Sequence, residues 1–183
     1  MSSGFRRQRK SNAVTRYRIV SERSQLWAEA RSSLHPIHIE AAGLEGYFEA
    51  DVNGDRPNLD APVTGRVEVE AELLKSGNVL YDREIERRLE TRKYPRIRGE
   101  VRGMRALDSG AGYRMQGELS LHGATRAVEG DVTMRRVDES TIEVEGEQIF
   151  DIRDFGLEPP KILMLRVYPE IKVHIHVVAQ SVH

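Results

Sequence analysis

The stretch YRMQGELSLHGATRAVEGDVTM, residues 113–134, contains two runs in which apolar or small residues alternate with polar ones. One face of the first run carries Tyr113, Met115, Gly117, Leu119 and Leu121, and one face of the second carries Val128, Gly130, Val132 and Met134. A period of two is typical of a strand with one buried and one solvated face. Because the turn sequence HGAT joins the runs, we predict two neighbouring antiparallel strands.

The same alternation recurs through most of the chain. Further strands are predicted at Tyr17–Val20, Leu26–Arg31, Leu44–Val52, Arg66–Leu73, Ile97–Leu107, Ile142–Ile152 and Ile171–Ala179. Glycines stand inside several of these runs, at Gly99, Gly103, Gly117, Gly130 and Gly146. Closing a sheet on itself requires local bends, so these glycines favour an antiparallel barrel over a sandwich.

One segment departs from the strand pattern. LYDREIERRLETRKYPRI, residues 80–97, has a helical spacing of Ile85 and Leu89 among many charges. We predict a short α-helix over residues 82–90, capped by Asn78 or Asp82, with Leu80 beside its apolar face. Such a helix suits the open end of a barrel, where Ile85 and Leu89 would form a lid over the interior.

Length and charge indicate one domain with a distinct N-terminal segment. The 183 residues suffice for a single core, and the absence of cysteine excludes disulfides, thiolate metal sites and cysteine nucleophiles. Residues 1–13 are expected to be a disordered basic tail, and residues 14–183 are expected to form the barrel domain. The alternative for the tail is that its basic residues bind phosphates or anionic lipid headgroups. The net charge of −1 therefore leaves the domain itself acidic, which argues against a nucleic-acid partner.

No apolar run is long enough to span a bilayer, and no apolar segment follows the basic start as a secretory signal would require. The expected location is cytoplasmic, with membrane contact that is at most transient. A homodimer is compatible with the sequence.

Five motifs together resemble the YceI-like family, which consists of lipocalin-like proteins associated with polyisoprenoid binding. They are YRIV (17–20), SERSQL (21–26), YDREIERRLETRKYPRI (81–97), YRMQGELSLHGATR (113–126) and FDIRDFGL (150–157). Their order and spacing extend the resemblance over residues 16–179. The resemblance implies an eight-stranded antiparallel barrel with a helix over it and a long apolar molecule in its lumen.

From the resemblance and the strand parity together, we predict non-catalytic binding, transport or storage of a long-chain lipid, such as a polyisoprenoid or isoprenoid quinone. The predicted ligand-binding residues are Ala28, Ala30, Phe48, Val67, Val69, Ile85, Leu89, Val101, Met115, Leu119, Gln148, Phe150 and Ile175. No cofactor, metal or catalytic residue is predicted. The alternatives are a barrel with a filled core that acts as a stress-related interaction module, and a small-substrate enzyme.

The chain departs from the family pattern at several positions on the expected inward face. Arg23-Ser24 replaces an HS pair, Ala28 and Ala30 replace bulky residues, and Gly99 stands where an aromatic residue is common. The small residues either widen the cavity or make room for Trp27 or another bulky neighbour.

Several polar residues are candidates for metal or ligand binding, but each also has a purely structural interpretation. His35 with His38, and His174 with His176, have spacings that a metal site could use, but surface histidines are the favoured interpretation. Gln148 interrupts the apolar face of its strand, so it either contacts a partner inside the barrel or turns outward at a bulge. The helix arginines, Arg83, Arg87, Arg88 and Arg92, are interpreted as a solvated face rather than a grip on a diphosphate.

Overall fold

The computed structural model describes residues 13–182, so most of the predicted basic tail lies outside the described residues. The strands are β1 (Thr15–Ile19), β2 (Gln25–Ser32), β3 (Ile37–Ala41), β4 (Glu45–Ala50), β5 (Val52–Asn53), β6 (Arg56–Pro57), β7 (Thr64–Glu70), β8 (Leu74–Lys75), β9 (Arg96–Ala106), β10 (Tyr113–Leu121), β11 (Ala124–Arg136), β12 (Thr141–Asp151), β13 (Lys161–Ile162) and β14 (Leu165–Ser181). The helix α1 spans Val79–Leu89, and short 3₁₀ turns span Ser21–Arg23, Ala71–Leu73 and Ile152–Phe155.

The strands form a closed antiparallel barrel with eight strand positions. β1 and β2 share the first position, because both pair with β14 on either side of the turn Ser21–Arg23. β3 and β4 share the second position and β7 and β8 the third, followed by β9, β10, β11, β12 and β14. The pairing of β1 with β14 closes the ring, which confirms the predicted fold class.

The ends of the barrel differ in their packing. At one end, Leu44, Ile142 and Val177 are almost fully buried in a cluster that also contains Tyr17 and Phe48. At the other end, α1 lies across the barrel, and its residues Ile85 and Leu89 pack on the ends of β7, β8 and β9. The closed end is therefore filled by side chains of the protein itself, and the other end, which we call the mouth, is covered mainly by α1.

Several predicted boundaries differ from those of the structure, and the largest difference is at β14, which begins at Leu165 instead of Ile171. The helix begins at Val79 rather than at residue 82, because Asn78, one of the two predicted caps, accepts hydrogen bonds on its side chain from the N–H groups of Leu80 and Tyr81. Asp82 instead accepts bonds from the N–H and hydroxyl of Ser76, which ties the helix to the preceding turn. The strand predicted over Arg66–Leu73 ends at Glu70 and continues as a 3₁₀ turn.

The sequence interpretation missed β3. Its alternation is present, since Ile37 and Ala41 are buried and Ile39 packs beside them, but the run is short and follows Pro36. Pro36 and the flanking histidines made the segment resemble a loop. The pairing of β3 with β2 over Leu26–Ala30 shows that the strand is an integral part of the barrel wall.

Candidate ligand cavity

The lumen contains a cavity of about 410 Å³ that extends from the closed end to the mouth. This volume lies in the range of ligand pockets in proteins. The wall residues nearest the closed end are Phe48, Val144 and Val177, and those nearest the mouth include Tyr81, Leu157 and Ile162. The interior is therefore not filled by its own side chains, in contrast to the alternative of a filled barrel.

All of the predicted ligand-binding residues lie on this cavity. Ala28, Ala30, Phe48, Val67, Val69, Val101, Met115, Leu119, Gln148, Phe150 and Ile175 come from the strands, and Ile85 and Leu89 come from α1. Their shared position follows from the strand pairing, because residues that pair across antiparallel strands point to the same face. Their role in binding a ligand stays a prediction.

Several further wall residues obey the same periodicities but were not among the predicted ligand-binding residues, although Leu121 and Val128 had been assigned to apolar strand faces. They include Leu26, Ile37, Ile39, Leu74, Ile97, Leu121, Val128 and Ile162. Tyr81 was also missed, although Tyr81, Ile85 and Leu89 are spaced four residues apart on one helix face. Leu80, which was expected beside that face, is instead exposed. The earlier start of the helix explains both errors.

The small inward residues widen the cavity and do not accommodate Trp27. A Cβ atom added to Gly99 would have no heavy atom within 4 Å, so this position opens directly onto free space. Trp27 has the opposite parity to Ala28 and lies on the outer surface, where its ring stacks on His174 with a centroid distance of 5.1 Å. Of the two interpretations of the small residues, the one that places Trp27 inside is wrong.

The charged and amide residues of the strand walls mostly point outward and pair there. Glu68 accepts hydrogen bonds from Arg96 and Arg98, and Arg114 donates to Asp131 from two of its guanidinium nitrogens, Nε and Nη2. Burial would raise the pKa of Glu68, but the hydrogen bonds from the two arginines outweigh it and lower that pKa below its ordinary value. These pairs keep charge on the outer face, so the inner face is left apolar.

Gln148 is the exception on the inner face of β12. The register between β12 and β14 runs without a shift from Thr141 to Asp151, so the alternative of an outward bulge at Gln148 is wrong. Its side chain lies opposite the open position of Gly130, 3.8 Å from where a Cβ atom would be. Its hydrogen bond within residues 13–182 is a long one, 3.5 Å, to the carbonyl of Ile149. The amide therefore has hydrogen-bonding capacity left for a group in the lumen.

The lid helix is held by an ion-pair network at the rim of the cavity, where Glu84 and Arg88 are among the lining residues and Arg87 is exposed. Glu84 accepts bonds from Arg87 at 2.7 and 2.9 Å and from Arg88 at 2.7 Å, and Arg88 also donates to the carbonyl of Glu158. The hydrogen bond from Arg87 lowers the pKa of Glu84, and the bond from Arg88 adds to this against the opposing effect of burial. The guanidinium groups of Arg87 and Arg88 are thus engaged within the protein. Arg87 is exposed, as the interpretation of a solvated face requires, whereas Arg88 lines the cavity.

Replacing Glu84 with glutamine is expected to loosen the lid by about 1 kcal/mol, because a neutral amide cannot hold both guanidinium groups as the carboxylate does. The pKa of Glu84 is lowered from its ordinary 4.5, so its stabilising effect is complete above that pH and disappears as the pH falls through the lowered value. The protection factors of the amides of Val79–Leu89, which are exchange rates corrected for the intrinsic dependence of exchange on pH, should therefore fall in acid in the wild type, with a flatter pH profile in Glu84→Gln.

The control for that experiment is Glu118→Gln, which removes a carboxylate from the barrel wall, where it pairs with Arg102. Exchange in the helix should not change in this variant. Equal exchange rates in wild type and Glu84→Gln at neutral pH would contradict the assigned role of the network.

The four histidines considered for a metal lie away from the lumen. His38 lies near Glu29, and His35 contacts Tyr81, with 3.5 Å between the ring Nε2 and the hydroxyl. On the outer face of β14, His174 pairs with Glu147, and His176 lies 3.0 Å from Glu143 and 3.9 Å from Glu145.

The donor atoms of Glu143, Glu145 and His176 lie within 4.8 Å of one another. The Glu143 carboxylate already pairs with the guanidinium group of Arg135 as well as with His176. Its negative charge is therefore balanced by Arg135 without a metal ion. The pKa of Glu143, which burial would raise, is lowered mainly by the hydrogen bond from His176 and the charge of Arg135. We assign this cluster to stabilising the seam of β11, β12 and β14.

No helix among the described residues is long and apolar enough to cross a membrane.

Solved structures with the same architecture come from several bacteria. BcnA of Burkholderia cenocepacia has a TM-score of 0.74 at 15% identity, with 87% of this chain and 98% of that chain covered. A polyisoprenoid binding domain from Saccharophagus degradans, implicated in plant cell wall breakdown, has a TM-score of 0.69 at 14% identity, with 91% and 98% covered. The YceI protein of Campylobacter jejuni has a TM-score of 0.64 at 14% identity, with 79% and 85% covered. At these identities the likeness shows the fold alone.

A sequence search of curated proteins finds no match. The family model of the YceI-like domain, in contrast, matches residues 17–179, which include every barrel strand position and the lid helix. This chain therefore belongs to the YceI-like family.

Proposed function

We propose that this protein binds a long apolar molecule of the polyisoprenoid or isoprenoid-quinone type in its lumen, and that it carries or stores this molecule without changing it chemically. The observation that carries the proposal is the cavity of about 410 Å³, whose inward strand side chains are apolar apart from Gln148. A narrow apolar lumen suits an unbranched or methyl-branched chain better than a compact polar substrate.

The energetics favour such a ligand. Each methylene removed from water contributes about 0.8 kcal/mol, so ten buried carbons contribute about 8 kcal/mol before the costs of association. A long chain can therefore bind tightly with few polar contacts. The single inward amide of Gln148 offers one hydrogen bond, which suits a carbonyl or hydroxyl oxygen on the ligand.

The similar domain from Saccharophagus degradans is described as polyisoprenoid-binding, which supports the same ligand class here. A filled-core interaction module is less well supported, because the lumen is open. An enzyme is also less well supported. Strand-wall carboxylates such as Glu68, Glu118 and Asp131 pair with arginines on the outer face, away from a bound molecule, and Glu84 of the lid, which lines the cavity, is held by Arg87 and Arg88.

The direct test is to purify the protein from its own host, extract it with organic solvent, and identify bound lipid by mass spectrometry, with native mass spectrometry giving the stoichiometry. We expect one long-chain isoprenoid lipid per chain. Protein that carries no lipid and takes up none of a series of prenols or quinones would contradict the proposal. Conversion of a bound prenol during incubation would instead favour the enzyme.

A further inference from the structure

Three segments meet at the mouth and present apolar side chains to solvent. The β13–β14 hairpin turns at Leu163 and Met164, which are 88% and 94% exposed. The loop before β3 presents Leu34, and the start of α1 presents Val79 and Leu80. We call the hairpin turn at Leu163 and Met164 the tip. The exposure of these two side chains is close to its maximum.

Hydrogen bonds and packing hold these segments together. Ser33 donates its N–H to the carbonyl of Arg166 at 2.8 Å, and its hydroxyl accepts from the N–H of Arg166 at 3.1 Å, so the loop that carries Leu34 is joined to the hairpin. Tyr81 of α1 packs against the cluster that contains Leu165. The exposed residues therefore form one apolar surface beside the mouth.

The turn at Leu163 has a backbone conformation that is unusual for a leucine. Leu163 has a φ of 54°, a left-handed conformation that glycine and asparagine adopt at less cost than leucine. A glycine or asparagine would make the same turn with less strain and without an exposed apolar side chain. Leucine at this position thus costs stability through backbone strain and lowers solubility through its exposed side chain. Its presence points to a contact between this side chain and another molecule.

Two cations lie directly behind the tip. Lys161 and Arg166 are paired across the hairpin one residue pair behind the turn, both are exposed, and no ion pair in residues 13–182 involves either side chain. Ile162 and Leu165 form the neighbouring pair, and Ile162 lines the cavity. An apolar wedge with cations behind it is complementary to a bilayer that has anionic headgroups at its surface and acyl chains below.

We propose that the tip inserts into the surface of an anionic lipid bilayer, with Leu163 and Met164 among the acyl chains and Lys161 and Arg166 at the headgroups. This inference rests on the proposed function, because a bilayer is the phase from which an isoprenoid lipid would enter the lumen. Docking at the tip places the mouth at the membrane, so an apolar ligand can transfer without crossing water.

The test is flotation of the full chain with vesicles free of isoprenoids, made either of phosphatidylcholine alone or of phosphatidylcholine with phosphatidylglycerol. We expect the wild type to float with the anionic vesicles. The double variant Leu163→Asn, Met164→Ser should bind them about tenfold or more weakly, because losing one buried leucine-sized side chain alone has about that effect. Its folding should not suffer, since asparagine tolerates the left-handed turn.

Two further variants define the surface. Val137→Ser changes an exposed apolar residue in the hairpin before β12, near the end of β14 opposite the tip, and should leave binding unchanged. Lys161→Gln with Arg166→Gln should weaken binding to anionic vesicles by about tenfold and abolish the preference for them.

The outcomes separate the competing explanations. Unchanged flotation of the Leu163→Asn, Met164→Ser variant would overturn the proposal and assign binding to another part, such as the basic residues before Ala13. Self-association of the wild type, seen by light scattering and lost in that variant, would overturn it in favour of contact with a second copy. Leu119→Trp, which fills the lumen, should still float, so a failure of lipid storage and a failure of docking are distinguishable.

Discussion

Replacing Leu119 with tryptophan is expected to reduce binding of a prenol such as geranylgeraniol by about 50-fold or more. Leu119 lies on the cavity wall in β10, and its partner across the strand pair is Gly99. Because nothing lies within 4 Å of a Cβ at Gly99, the indole ring has room to extend into the lumen without displacing the backbone. The ring would displace several methylenes of the ligand, each of which contributes about 0.8 kcal/mol.

The matched control is Glu118→Trp, which adds an indole ring to the adjacent residue on the outer face, where Glu118 pairs with Arg102. Both variants should retain the barrel, with a change in the free energy of unfolding of less than about 2 kcal/mol. Prenol retention, measured by native mass spectrometry, should fall only in Leu119→Trp. Equal retention in the two variants would mean that the lumen is not where the ligand binds.

The inward face of the barrel was predictable because strand parity needs only local sequence. Met115 and Leu119 alternate with polar residues in one run, and antiparallel pairing carries the same face to Val128 on the next strand. The family resemblance added the number of strands and the position of the helix. Residues chosen from parity therefore lie on the cavity wall even though their neighbours in space are far away in sequence.

The features that were missed depend on contacts that parity does not encode. β3 pairs with β2 although Pro36 precedes it. The sequence left Asn78 and Asp82 open as caps of the helix, and the hydrogen bonds of the Asn78 side chain decide between them. Trp27 was considered as one occupant of the inward space, but its parity is opposite to that of Ala28, and it lies outward, where it stacks on His174. The tip at Leu163 was missed because its exposure is a property of the hairpin, not of its composition.

Glycines in the barrel were predicted as bends, but the structure gives two of them opposite roles in the same strand pair. Gly117 lies where the register between β9 and β10 shifts, and a Cβ atom there would be 2.0 Å from the carbonyl oxygen of Glu100. Gly99 has no heavy atom within 4 Å of its Cβ position. The first glycine permits a close approach of two backbones, whereas the second opens space in the lumen.

Gly117→Ala is therefore expected to destabilise the barrel by about 3 kcal/mol, because the strands must separate at the bulge to admit one methyl group. For a domain of this size the melting temperature should fall by about 10 °C. Gly99→Ala, in the same strand pair, should instead be neutral or stabilising by up to about 1 kcal/mol, since alanine reduces the freedom of the unfolded chain and meets no neighbour.

Thermal and urea unfolding of the two alanine variants would measure this difference directly, because each adds the same methyl group to the same sheet. Gly117→Ala as stable as the wild type would show that β9 and β10 can relax at the bulge. A large loss in Gly99→Ala would show that the lumen beside this residue is occupied. Since Gly99 faces Leu119 across the strand pair, that second result would also remove the space into which the indole ring of Leu119→Trp is expected to extend. The stability of Gly99→Ala thus checks the open lumen independently of any ligand.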